Sequence, residues 1–249
     1  MSTDPTPDAT PEAATIIDDL IEIWTAPSKV FARRATSGFF LVMCLVTLLI
    51  GGLWLANQGT MQGIMDAEYA RQMQEVMKQN PNVTPEQLAS GRKFADFFTS
   101  YGVFFGIPIG LLFIGLGTWI TGKIVGAEEL GYGASTMIAA YSYLPKALES
   151  LLYTVQGVLI DTDALTGRYQ LSLGVGRFLD PTMDVGLLSL LGRIDLFTIW
   201  VSVLLGIGIT VVGKLPRSSV VTAAIVMWVF GAVPSLWALL MGLLRDSAA

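Results

Sequence analysis

The chain has 249 residues, of which 53% are hydrophobic and 14% charged, and its formal net charge is −5. A soluble domain is usually about a quarter charged, so this composition favours a membrane protein. The 15 Lys and Arg residues are dispersed among 20 Asp and Glu residues, which argues against nucleic acid as a partner. The chain has no His and a single Cys44, so the commonest general base and transition-metal ligand and any internal disulfide are missing. We therefore predict no metal site and no cofactor.

The first 37 residues divide into a tail and an amphipathic segment. Residues 1–14 are acidic and rich in Pro, Thr and Ala, which predicts a disordered tail without a signal peptide. In residues 15–37, apolar side chains recur at helical spacing with Asp18, Asp19 and Glu22 opposite them. Pro27 interrupts this helix, and Ser28 is the predicted N-cap of the next one. The segment either lies in the membrane interface or packs on the cytoplasmic mouth of a bundle.

Five long apolar runs follow. They are Gly38–Ala56, Tyr101–Gly122, Gly133–Ile160, Ile194–Gly213 and Val220–Leu244. Each comes near the ~20 residues that a helix needs to cross a bilayer core. Because backbone hydrogen bonds must close internally in lipid, the runs predict helices. The predicted fold is an all-α integral membrane protein with five transmembrane helices in residues 38–244, an N-terminal interfacial helix, an extramembrane helical loop and a tail at 245–249.

Basic residues predict the orientation in the membrane. Lys29, Arg33 and Arg34 stand directly before the first run, and short basic segments tend to stay in the cytoplasm. The connections predicted to face outward, residues 57–100 and 161–193, are longer and mix basic with acidic residues. The prediction is a cytoplasmic N-terminus and, with five crossings, a C-terminus on the other side.

Both long connections carry structural signals. Methionines and aliphatic residues at helical spacing after Asn57 predict a helix. The run Thr84-Pro85-Glu86-Gln87 predicts a capping box that opens a second helix toward Phe98. In the other connection, alternating side chains over Arg168–Leu179 predict a short strand or hairpin. Leu187–Leu191 predicts a short interfacial helix before the fourth run.

The third run contains the main candidate site, a polar stripe. Its members are Ser142, Lys146, Glu149, Tyr153 and Gln156, and their spacing places them on one helical face. A Lys or an acid at the centre of a membrane helix costs about 2.5–3.5 kcal/mol, so the stripe should face the bundle or a wet cavity. Lys146 and Glu149 are then mutual partners. Either they form part of an ion or substrate path, or they are a structural ion pair beside a kink at Pro145.

Small residues on two other runs form candidate helix-packing faces. These residues are Gly102, Gly106 and Gly110 in the second run and Ser202 and Gly206 in the fourth. Small residues four positions apart let membrane helices approach closely, either within one subunit or between two. The sequence contains no glycine-rich phosphate loop, nucleophile elbow or pair of catalytic carboxylates, so we predict that the protein is not an enzyme.

Three short motifs in order resemble the Yip1 family in its bacterial branch. They are IWTAPSKVF at Ile23–Phe31, AYSYLP at Ala140–Pro145 and DLFTIW at Asp195–Trp200. The resemblance covers roughly Thr15 to Leu244 and implies a five-helix fold in a bacterial cytoplasmic membrane. Eukaryotic members carry an Asp-Leu-Tyr-Gly-Pro motif associated with Rab GTPases and vesicle traffic. This chain has Thr25-Ala26-Pro27 there instead, so the resemblance does not imply that role.

The function predicted from these features is a membrane interaction or scaffold protein. Its partners are the lipid bilayer and either other membrane proteins or further copies of itself. The alternative is a small transporter or channel that uses the polar stripe of the third run.

Overall fold

The computed structural model describes residues 14–79, 84–160, 165 and 167–246. The secondary-structure elements of these residues are all helices, joined by turns and short connections. The α-helices are α1 Ile16–Glu22, α2 Pro27–Arg34, α3 Phe40–Gln79, α4 Pro85–Tyr101, α5 Val103–Ile124, α6 Tyr132–Ser142, α7 Pro145–Leu159, α8 Val185–Gly192, α9 Leu196–Val212 and α10 Ser219–Asp246. Almost all of the predicted N-terminal tail lies outside the described residues, as does the end of the C-terminal tail.

Three of the described helices are long and apolar enough to cross a membrane. These candidate spans are Phe40–Gly59 in α3, Val103–Ile124 in α5 and Ser219–Leu244 in α10. The fourth predicted span corresponds to α9, an apolar helix of 17 residues. The described residues are therefore those of a helical membrane protein with three candidate spans, and five crossings stay a prediction.

The third predicted span is not one continuous helix. It is divided at Tyr143 and Leu144 into α6 and α7. Pro145 occupies the first turn of α7, where the absence of a backbone N–H does no harm because that donor has no intrahelical partner. At the break, Lys146 donates its backbone N–H to the Tyr143 carbonyl at 3.0 Å. The kink expected at Pro145 is thus a junction between two helices.

The helical loop that we predicted outside the membrane is a direct extension of the first candidate span. Helix α3 has 40 residues and is roughly 60 Å long, about twice the thickness of a hydrocarbon core. Its second half carries Asp66, which pairs with Arg92 of α4. The predicted capping box is present, because Thr84 and Gln87 cap α4 reciprocally. Helix α4 then leads through one residue into α5.

The N-terminal pair of helices packs on the bundle. Val30 and Phe31 of α2 are fully buried, and the Trp24 ring meets the edge of Trp200 of α9 at a centroid distance of 5.3 Å. The segment therefore packs against the other helices, as in the second of the two arrangements considered, and its position on the cytoplasmic side stays a prediction. The predicted cap at Ser28 is wrong, because α2 begins one residue earlier at Pro27, a residue favoured at the first helical position.

Asp19 lies in the interior and not on an outer polar face of α1. Its side chain has no exposed surface and pairs with both Arg33 and Arg34 of α2. The Tyr141 hydroxyl of α6 donates to the same carboxylate at 3.1 Å. The hydrogen bonds that Arg33 donates raise the pKa of its guanidinium group, and the bond to Asp19 contributes more than the bond to Glu22. We call residues 15–34 the N-terminal clasp, since Asp19 ties it to α6.

The prediction of a strand or hairpin at Arg168–Leu179 is wrong. The covering segment, which we define as residues 167–184, contains two 3-10 turns, Arg168–Leu171 and Val175–Phe178. Gly174 forms a single bridge to Asp195. A Cβ at Gly174 would lie 2.3 Å from the Ile194 carbonyl oxygen, so the backbone packs against the start of α9 more closely than a side chain would allow. The predicted interfacial helix at 187–191 falls inside α8.

Candidate functional site

The centre of the polar stripe is an ion pair on α7. The Lys146 Nζ lies 2.8 Å from a Glu149 carboxylate oxygen, and the two side chains are 22% and 14% exposed. Lys146 also donates to the Thr198 hydroxyl of α9 at 3.3 Å. The Tyr153 hydroxyl, one turn further along α7, donates to Glu149 at 3.2 Å. The pairing expected from the spacing of these residues is therefore present.

The other two members of the stripe have different surroundings. The Gln156 amide donates to the Leu171 carbonyl at 3.0 Å, and Arg177 donates to the Gln156 amide oxygen at 2.9 Å. Gln156 thus holds the covering segment against α7. Ser142 lies before the helix break, is fully buried, and its hydroxyl has no partner among the described residues. The break in the predicted third span separates it from the remaining stripe.

A cavity of about 340 Å³, here called the polar chamber, lies beside the ion pair. It is lined by Lys146, Glu149, Tyr153, Arg168, Tyr169, Ser172, Ser189, Gly192, Arg193, Asp195, Thr198 and Ser235. These residues include three basic and two acidic side chains. Only the first three residues of the lining belong to the predicted stripe. The others come from the covering segment, the α8–α9 junction and α10, whose proximity no local sequence pattern indicates.

The charged side chains Asp195 and Arg193, which line the polar chamber, have different kinds of partners. Asp195 is 5% exposed and caps α9 by accepting from the backbone N–H groups of Phe197 at 2.9 Å and Thr198 at 3.0 Å. Arg193 instead donates to the Trp228 carbonyl at 3.1 Å and lies 5.6 Å from the centre of that indole ring. Within the described part of the chain, Arg193 forms no ion pair and its buried Nε has no partner. The charge of Asp195 is therefore balanced by the helix N-terminus and not by a bond to Arg193.

A second cavity of about 370 Å³, the apolar chamber, adjoins the first. Lys146, Arg193 and Thr198 line both cavities. The remaining lining is mostly apolar and consists of Phe113, Ile114, Tyr143, Val201, Ser202, Leu205, Met227, Phe230, Gly231 and Pro234. The polar chamber and the apolar chamber therefore share a border formed by these three polar side chains.

The two candidate helix-packing faces differ in their contacts. On α9, Ser202 is buried, and a Cβ at Gly206 would lie 2.5 Å from the Val220 carbonyl oxygen of α10. On α5, a Cβ at Gly106 or Gly110 would meet no described atom within 4 Å. At Gly102 it would meet only the Phe98 residue one turn earlier. The α9 face is used within the subunit, whereas the α5 face is open.

The long apolar helices define a helical membrane protein. The described residues hold no group of three or more Asp, Glu or Cys that could bind a metal ion. Comparison with family models matches the Yip1 domain over residues 21–239, so the chain belongs to the Yip1 family. The comparisons found no significant match among curated proteins or solved structures.

Proposed function

We propose that this chain is a non-enzymatic membrane scaffold protein that assembles with a second copy of itself through α5. The open glycine face of that helix, formed by Gly106 and Gly110 with Gly102 one turn earlier at the helix cap, carries the proposal. It is supported by membership of a membrane-protein family.

The α5 face has the properties that favour close helix pairing in a membrane. Its glycines are spaced by four residues and leave the backbone accessible to another helix. The neighbouring Phe105 and Ile109 are 74% and 54% exposed and supply apolar surface on one side of the glycines. Because the same face occurs on each copy, two α5 helices form a self-complementary pair around a two-fold axis.

Replacing a glycine on this face tests the proposal. We expect Gly106→Ile to lower the dimer fraction about tenfold, since a branched side chain keeps the two backbones apart. The measurement is single-molecule photobleaching of labelled full-length protein in lipid vesicles at a fixed protein-to-lipid ratio. Gly52→Ile in α3 is the matched control, because a Cβ at Gly52 also meets no described atom within 4 Å.

Two outcomes of that measurement oppose the proposal. A protein that is monomeric at every protein-to-lipid ratio has no self-association to explain. A dimer fraction that responds equally to Gly106→Ile and Gly52→Ile reflects a general effect of isoleucine and not a contact through α5.

The arrangement that we propose for the membrane is five crossings in a bacterial cytoplasmic membrane with the N-terminus in the cytoplasm. In it, α3, α5, α9 and α10 each cross, and α6 and α7 together form the third crossing. Reporter fusions after Ala249 and within residues 126–130 should then report opposite sides of the membrane. Reports from the same side would contradict five crossings.

A second candidate function, a small transporter or channel, is favoured by the polar chamber next to the helix break. Discontinuous helices and converging polar groups are typical of transport sites. For the scaffold that we favour, Cys substitutions at Ser142, Glu149 and Gln156, each made in a Cys44→Ser background, should resist membrane-impermeant thiol reagents. Strong labelling at all three positions would indicate a water-filled path and support the transporter.

A further inference from the structure

We propose that the two joined chambers bind an anionic lipid, with its charged headgroup in the polar chamber and part of an acyl chain in the apolar chamber. This inference does not rest on self-association through α5, because it concerns ligand binding in chambers that are lined mainly by α7, α8, α9, α10 and the covering segment, with Phe113 and Ile114 of α5 in the apolar chamber. Each chamber falls within the lower size range of small-molecule pockets.

Two hydrogen-bond donors on residues that line the polar chamber have no partner among the described residues. The Arg193 Nε is buried without a partner, and so is the Ser172 hydroxyl, which belongs to a residue only 3% exposed. Buried polar atoms usually find a partner, since an unpaired one costs the desolvation of the group. A guanidinium group matches the oxygens of a phosphate or carboxylate in both charge and shape. These donors therefore favour an anionic oxygen group.

The carboxylates in the polar chamber do not cancel this preference. Glu149 is engaged by Lys146 at 2.8 Å and by the Tyr153 hydroxyl at 3.2 Å. Asp195 is engaged by the first backbone N–H groups of α9. The basic side chains exceed the acidic ones by one. Arg193 donates to the Trp228 carbonyl and lies near its ring, and it interacts electrostatically with Asp195 without a direct ion pair to it. A bound anion would give Arg193 a direct charge partner.

The apolar chamber distinguishes a lipid from a free anion. It begins at the same Lys146, Arg193 and Thr198 that border the polar chamber and continues between apolar side chains of α5, α9 and α10. Phe113, part of its lining, is 63% exposed at the surface of the bundle. An acyl chain can thus run from the headgroup position toward the lipid-facing side of α5, where it gains burial in an apolar space.

The test compares ligands that differ in one chemical group. Delipidated full-length protein in a neutral detergent is titrated with dioctanoyl phosphatidic acid, dioctanoylglycerol or inorganic phosphate. Binding is measured by native mass spectrometry. We expect phosphatidic acid to bind at least about tenfold more tightly than either dioctanoylglycerol, which lacks the anionic group, or phosphate, which lacks the chains.

Two variants locate the binding site. Arg193→Gln removes the charge and should weaken phosphatidic acid binding about tenfold. Gly231→Ala keeps the charge but places a methyl group 2.4 Å from the Arg193 guanidinium, so the end of that side chain must move and binding should also weaken. Arg217→Gln, which removes an exposed charge outside both chambers, is the matched control and should bind as the unmodified protein does.

Each outcome decides the proposal. Equal binding of phosphatidic acid and dioctanoylglycerol would show that no anionic site is present. Phosphate binding as tightly as phosphatidic acid would show that the ligand is a free anion. If Arg193→Gln does not fold, Gly231→Ala carries the test, and unchanged binding by this variant would overturn the assignment to these chambers.

Discussion

Asp19→Ala should lower the free energy of unfolding by roughly 2–3 kcal/mol. The substitution leaves Arg33, Arg34 and the Tyr141 hydroxyl without the carboxylate that they share. Removing one partner of a buried ion pair typically costs 3–5 kcal/mol, and we expect about 2–3 here because the arginine side chains are 30% and 20% exposed. The measurement is denaturant-induced unfolding of the full-length protein in a mild detergent.

Two control variants separate the contributions to this site. Glu22→Ala removes a carboxylate that also pairs with Arg33 but is 41% exposed, so its cost should remain below about 1 kcal/mol. Tyr141→Phe removes only the hydrogen bond to Asp19, at a cost of about 1 kcal/mol. If Asp19→Ala cost no more than Glu22→Ala, the buried carboxylate would not be what attaches the N-terminal clasp.

Lys146→Met should destabilise the protein by roughly 2–4 kcal/mol, because it leaves the mostly buried Glu149 carboxylate with the Tyr153 hydroxyl as its remaining described donor. The double variant Lys146→Met with Glu149→Gln should recover much of the loss, since removing both charges costs less than leaving one unpaired. Unfolding of both single variants and the double variant completes the thermodynamic cycle. Lys123→Met, at an exposed position, is the control and should have little effect.

Strictly additive losses in that cycle would mean that Lys146 and Glu149 do not interact directly. A large coupling energy, by contrast, would show that Lys146 and Glu149 interact directly on α7. Such coupling is compatible with either proposed function, because a structural ion pair can also border a ligand chamber.

Periodicity predicted well those features that depend on one continuous helix. The spacing of Lys146, Glu149 and Tyr153 placed them on one face, and the structure joins all three through hydrogen bonds. The helix cap at Thr84 was equally predictable, because its partner Gln87 is only three residues away. In each case the deciding contacts lie within one or two turns of the same helix.

Features that depend on distant partners could not be predicted in this way. Amphipathic spacing assigned Asp19 to a polar outer face, but its hydroxyl donor, Tyr141, lies 122 residues away in the sequence. The alternation at 168–179 indicated a strand, yet no second described strand pairs with it and close backbone packing at Gly174 produces turns. The role of Arg193 likewise depends on Trp228 of another helix.

The N-terminal clasp also has a consequence for the order of assembly. Its ion pairs with Arg33 and Arg34 join residues 14 and 15 positions apart, so they can form as soon as α1 and α2 have been synthesised. Its contacts with Tyr141 and Trp200 require helices that emerge from the ribosome much later. The N-terminal clasp therefore docks only after α6 and α9 have been synthesised, and the surfaces of α6 and α9 that it covers stay uncovered until then.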